Sequence, residues 1–253
     1  MGYRPRDSRF PGARVDALSQ YRVVGVALGK HFTLAVIDAG AVFSFGEGTT
    51  GLLGHGSLQG EVLPRRMEVL VQTGQRFIAV AAGDEHALAL AEGGELYGWG
   101  HENANGHGPQ ELDGGEADAN DGLAHYERTP QRLAALVGER VTLVGAGLCS
   151  SWAVTEKDER FTWGDGHPDC YHFGHGVGTP QVTPKRVEGL AGVRIGAVAI
   201  GERHTLAADE DGVVWALGKR LALCLDAATP EDVQGVTTPT PIPTLRVRAF
   251  MSF

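Results

Sequence analysis

Short apolar runs recur along the whole chain, each cut off by a glycine- or proline-bearing polar turn. The pattern is clearest over residues 80–100, V-A-A-G-D-E-H-A-L-A-L-A-E-G-G-E-L-Y-G-W-G. A small-residue turn at Ala82-Gly83 leads to a strand over residues 86–90. A tight turn at Glu92-Gly93-Gly94 follows, then a second strand ending in Tyr97-Gly98-Trp99-Gly100. Two short runs of strand character joined by a few turn residues predict a β-hairpin.

The same frame occurs four times. Its leading glycines are Gly29, Gly83, Gly147 and Gly201, and its closing glycines are Gly46, Gly100, Gly164 and Gly218. The two members of each pair are always 17 positions apart, whereas successive leading glycines are 54, 64 and 54 apart. Phe45, Trp99 and Trp163 precede the first three closing glycines, and Leu217 takes that place in the fourth, with Trp215 two residues earlier. After the closing glycine comes a Gly/His loop, G-L-L-G-H-G at 51–56, G-H-G at 106–108 and G-H-G at 174–176. A proline-led strand follows at Pro64, Pro130 and Pro184, then an apolar run into the next unit. About four short strands per unit is the signature of a propeller blade.

These units resemble the RCC1 (regulator of chromosome condensation) repeat. The residues that carry the resemblance are G-x-x-H-x-x-A at 83–89 and 201–207, aromatic-x-W-G at 97–100 and 161–164, and the G-x-L-G-H-G type loop at 51–56. It covers residues 23 to the C-terminus and implies an all-β propeller of about four blades of four-stranded antiparallel sheet. The units are expected near 23–76, 77–140, 141–194 and 195–244, with a fifth-unit strand beginning at 245–253. The resembled propeller has seven blades. Four units therefore read as a shortened propeller, a partial one covered by another chain, or a four-bladed ring. Residues 1–22, with Arg4, Arg6, Arg9 and Arg14, read as a basic tail, either disordered or pinned to the first blade.

Composition narrows the function classes. Glycine at 37 residues, without a collagen period, fits many tight turns. A net charge of −9 argues against a surface that grips nucleic acid throughout. Three irregularly spaced cysteines do not make a disulfide framework and suit a reducing compartment. No apolar run approaches a membrane span. The expectation is an intracellular protein, cytoplasmic or nuclear, with a cytoskeletal or ciliary assembly among the options, and not secreted.

Each chemical candidate competes with a scaffold role. His86 and His204 share one repeat position, His31 is one residue off, and Ser150 replaces them in the third unit. Recurrence across units favours a turn-bonding role over proton transfer, since an active site is singular. His55, His107 and His175 recur likewise. With His167, Asp169, Cys170 and His172, the third loop offers zinc-type ligands at unsettled spacing. Glu116, Asp118, Asn120, Gly122 and Glu127 form an imperfect calcium-loop pattern. Residues 144–147 imitate a dinucleotide fingerprint, but no helix pattern follows. Plant ultraviolet photoreceptors, which are similar propellers, use G-W-R-H-T motifs; here Glu202 holds the tryptophan position. No catalytic residue, cofactor or metal is expected.

The ten extra residues of the second unit fall in an acidic insertion at 109–126, read as a loop projecting from one rim. Its Glu111, Asp113, Glu116, Asp118 and Asp121, with Glu127 just beyond, are the candidate contacts to a protein partner. The reading is a non-enzymatic interaction scaffold, a subunit of a larger multiprotein complex. The resemblance also implies an alternative: nucleotide exchange on a Ran-like small GTPase, or binding of chromatin through histones.

Overall fold

The computed structural model describes residues 14–108, 126–164, 173–176, 180–201, 203–219 and 235–247. They form four four-stranded antiparallel sheets, each in simple meander order. The first holds β1 (Val23–Leu28), β2 (Phe32–Ile37), β3 (Val42–Gly46) and β4 (Glu61–Arg66). A short helix α1 (Glu68–Gln72) leads to the second sheet, β5 (Phe77–Ala82), β6 (His86–Ala91), β7 (Leu96–His101) and β8 (Tyr126–Arg132). The third comprises β9 (Val141–Ala146), β10 (Ser150–Thr155), β11 (Arg160–Gly164) and β12 (Gln181–Arg186). The fourth comprises β13 (Ile195–Ile200), β14 (His204–Asp209), β15 (Val213–Lys219) and β16 (Gly235–Arg246). Each sheet is one blade of a β-propeller.

The first strand of each sheet lies beside the first strand of the next, so β1, β5, β9 and β13 line the axis. The fourth strands pair on one side only and are outermost. That is where Pro64, Pro130 and Pro184 fall, because an edge strand tolerates a residue without an N–H.

The paired glycines have a definite cause. Each closing glycine faces the first residue of the second strand: Gly46 faces Phe32, Gly100 His86, Gly164 Ser150 and Gly218 His204. All four have φ between +97° and +148°. A side chain there would be strained, and its Cβ would strike the backbone of the opposing strand.

The cores lie between sheets. Leu34, Leu53, Met67 and Leu70 of the first unit meet Phe77, Ala89 and Trp99 of the second. Leu88, Leu133 and Leu136 meet Val141, Ala153 and Trp163. Trp152, Val187 and Leu190 meet Ile195, Ala207 and Leu217. Among the described residues no core joins the fourth sheet to the first, so the four-bladed ring is not what forms.

At the N-terminal boundary residues 14–22 are pinned to the first blade. They make a 3-10 turn at Asp16–Leu18, and Leu18 is buried against Ala35, Ile37 and Phe43. This turn stands where Ala134–Leu136 and Glu188–Leu190 stand before β9 and β13. At the other end Leu245 and Arg246 do not begin a fifth unit. They finish β16, with Arg246 paired to Val213. Residues 1–13 and 248–253 lie outside the described residues. No helix among the described residues is long and apolar enough to cross a membrane.

Candidate functional site

The meander sends the β1–β2 type turns and the β3–β4 type loops to one rim. The β2–β3 type turns and the links between sheets go to the other. The second rim is uniform. Arg76 pairs with Glu92 at 2.8 Å, Arg140 with Glu156 at 3.9 Å and Arg194 with Glu210 at 2.8 Å. Exposed pairs repeated in three of the four units organise a surface but single out no site.

On the loop rim most recurring polar groups turn inward. His55 Nε2 lies 2.9 Å from Ser44 Oγ, whose hydroxyl donates to the Leu53 carbonyl at 2.7 Å. His175 Nε2 lies 2.9 Å from Thr162 Oγ1, which donates to Phe173 O at 2.6 Å. A hydroxyl has one proton to give, so each imidazole is the donor to it. In the second unit glycine replaces the hydroxyl residue, and His107 Nε2 reaches Gly98 O directly at 3.3 Å. Burial holds His55 below the usual histidine range, helped by Arg65, and pushes His175 down to about 4, helped by Lys185. Among the described residues no group of three or more His, Cys, Asp or Glu is placed to hold a metal ion. His167, Asp169, Cys170 and His172 lie outside the described residues.

His86 mimics a catalytic arrangement. Its Nε2 is 2.7 Å from Ser151 Oγ, a histidine–serine pair at nucleophile–base distance. Both residues are fully buried, and Ser151 donates onward to Ala104 O at 3.2 Å. The same carbonyl accepts Trp163 Nε1–H at 3.0 Å. Desolvation drives the His86 pKa down to about 3, so the ring stays neutral. The pair is a joint between the second and third sheets, closed to any substrate. Trp99 makes a like joint one sheet earlier, donating to Leu52 O at 2.8 Å. Trp215 bonds instead to Asp209 Oδ2 at 2.9 Å within its own sheet.

What does not recur lies around the foot of the insertion, between Gly108 and Tyr126, where Glu85 is exposed and His101, Tyr126 and Glu127 are half-buried. Tyr126 donates to Glu85 Oε2 at 2.8 Å. Its ring meets His101 edge-on, with centroids 5.0 Å apart. Burial first, and the Glu85 bond second, raise the Tyr126 pKa, so the phenol stays protonated. Glu127 follows in β8 and accepts from Thr129 Oγ1 at 3.3 Å. Asn105, buried beneath, ties Gly100 O to the His107 N–H and shapes the loop from inside. Glu111, Asp113, Glu116, Asp118 and Asp121 lie outside the described residues. Sequence reasoning named Glu127 but missed Glu85, His101 and Tyr126. Their only signal was that they interrupt the repeat beside its longest insertion. This foot offers carboxylate acceptors and aromatic edges, a surface that suits a basic, donor-rich partner.

Comparison with known proteins gives a consistent picture. The family described as the regulator of chromosome condensation (RCC1) repeat matches residues 39–90 and again residues 77–108. The ultraviolet-B receptor UVR8 of Arabidopsis thaliana is 32% identical over 219 residues, covering 86% of this chain and 46% of that protein. The human E3 ubiquitin-protein ligase HERC2 is 32% identical over 233 residues, covering 91% of this chain and 4% of that protein. Among solved structures, human WBSCR16 superposes with a TM-score of 0.66 at 21% identity, covering 87% of this chain and 52% of that one. Prp20p of Saccharomyces cerevisiae superposes with a TM-score of 0.53 at 20% identity, covering 88% and 66%. The chain thus spans about half the length of UVR8 and a small part of HERC2.

Proposed function

We propose that this chain, whose repeats belong to the RCC1 family, is a non-enzymatic protein–protein interaction scaffold that meets its partner through the loop rim. RCC1-like repeat proteins act in protein interaction. The finer reading rests on one observation: most of the recurring histidines and hydroxyls, with Trp99 and Trp163, are bonded inside the scaffold, while the non-recurring Glu85, His101, Tyr126 and Glu127 surround the base of the acidic insertion. A stiff row of sheets holds these groups in place, which limits the ordering entropy lost on binding. The carboxylates favour a basic partner. Histones fit that chemistry, and the solved structure of Prp20p is described together with that protein's binding to Gsp1p and histones.

The test uses purified core histones as the probe. The full chain is titrated against them beside a variant lacking residues 109–125 and a Glu85→Lys/Glu127→Lys variant. Binding should weaken at least tenfold, about 1.4 kcal/mol, in both. Equal affinity for all three proteins would end the histone reading. Nucleotide exchange is the alternative and has its own assay. A Ran-like GTPase loaded with fluorescent nucleotide should keep it in the presence of this chain; rapid release would favour exchange.

A further inference from the structure

The outer face of the first sheet is built as half of a joint. Val24, Val26 and Leu28 alternate along β1 and so share one face. Val26 is 65% exposed and Leu28 73%. One sheet later the same repeat positions are Ile78, Val80 and Ala82, and Val80 and Ala82 pack against the first core. The outermost strand repeats the contrast. Val62 is 87% exposed, whereas at its counterparts the carbonyls of Arg128 and Thr237 accept the loop N–H groups of Gly56 and Gly176 from the preceding unit. Leu18 already sits on this face, where Leu70, Leu136 and Leu190 complete the inner cores. Phe45 stands in the place of Trp99 and Trp163, and Thr33 in the place of Ser151. Thr33 and Phe45 line a concavity of about 560 Å³ with Val26 and Leu28.

The complementary half lies on the far face of the fourth sheet. His204 holds the position of His86, and its imidazole bonds no described residue. It is half-buried, where His86 is fully enclosed. Leu206 is half-buried where Leu34 and Leu88 are fully so.

We infer that the first sheet's outer face docks the fourth sheet of a second copy of this chain, so that the second copy's His204 meets Thr33 as His86 meets Ser151. Both halves of the contact are present on one polypeptide, in a frame already used three times within it. The new interface therefore continues an existing one. Four exposed aliphatic positions on one face, Val24, Val26, Leu28 and Val62, with half-buried Phe45 beside them, also form a large apolar patch of the kind that marks an interface. Two such joints made reciprocally give a two-fold pair of eight sheets, within the span of known propellers.

The experiment is sedimentation of the full chain from about 1 to about 100 μM, a range that brackets micromolar association. The expected species has twice the 26.8 kDa chain mass. Val26→Arg/Leu28→Arg should sediment as monomer with unchanged circular dichroism. His204→Ala should weaken the pair about tenfold. Val62→Glu, at the outermost strand, serves as a second monomer-forming variant should the double variant misfold. A wild-type monomer over the whole range overturns the inference, and so does a pair that survives both face variants. The outcome is independent of the rim reading, since deleting residues 109–125 leaves this face intact.

Discussion

The joint between the second and third sheets and the joint between the third and fourth occupy the same place in the repeat, yet they are finished differently. In the first, Trp163, Ser151 and His86 converge on the Ala104 carbonyl, directly or in relay. In the second, Leu217 replaces the tryptophan and brings no donor. Arg160 fills the position that Val42 and Leu96 fill elsewhere. It is 2% exposed, and only its Nη1 is bonded, to Leu190 O at 2.8 Å. Among the described residues its Nε and Nη2, the Ser150 hydroxyl and the Trp152 indole N–H are buried without a partner, against His86 Nδ1 in the other joint. Each unpaired buried donor costs about 1–3 kcal/mol. The frame therefore tolerates a poorly satisfied joint, provided that shape and apolar area are kept.

The largest test of this contrast is truncation. Trp163→Ala should cost about 4 kcal/mol in urea unfolding, from lost burial and the loss of its bond to the Ala104 carbonyl, which keeps only the Ser151 donor. Leu217→Ala should cost less, about 3 kcal/mol. Equal losses would mean that the hydrogen bond adds nothing to the better joint. Repair of the worse joint is the next largest effect. Arg160→Leu copies Leu96 and should stabilise the chain by about 2 kcal/mol, read as a raised midpoint. Destabilisation would show that the Leu190 bond outweighs the desolvated guanidinium.

The smallest effect per step is that of pH. Burial holds His86 at about 3 and His175 at about 4, so the unfolded chain takes up protons first as pH falls below about 6.5. Stability from the buried neutral rings is fully present above that pH and is lost as pH falls toward the folded values. Each ring contributes a slope of at most about 1.4 kcal/mol per pH unit. His86→Gln should flatten that slope while lowering stability at neutral pH. A pH profile identical to wild type would mean that His86 is not the group enclosed.

Much of the architecture was readable because its causes are local. A glycine at positive φ facing a neighbouring strand leaves a fixed spacing, and in the second and third units a tryptophan stands immediately before it. Joints were not readable, because His86 meets Ser151 across 65 residues and a sheet boundary. The role of Ser44 and Thr162 was hidden for a related reason, since glycine holds their position in the second unit. The turn within residues 14–22 was not placed because the frame was anchored on glycines. An anchor on Leu18, Leu136 and Leu190, each five residues before a β-branched strand start, places it correctly. The candidate rim was half legible: the insertion stood out by composition, but its aromatic foot did not.

Two Gly/His loops bond forward onto the following sheet, Gly56 to Arg128 and Gly176 to Thr237, and among the described residues neither bonds backward. The array therefore has polarity, as bricks with a tongue on one side and a groove on the other. Excising one cassette would remove a tongue and a groove together, so the flanking cassettes would still match.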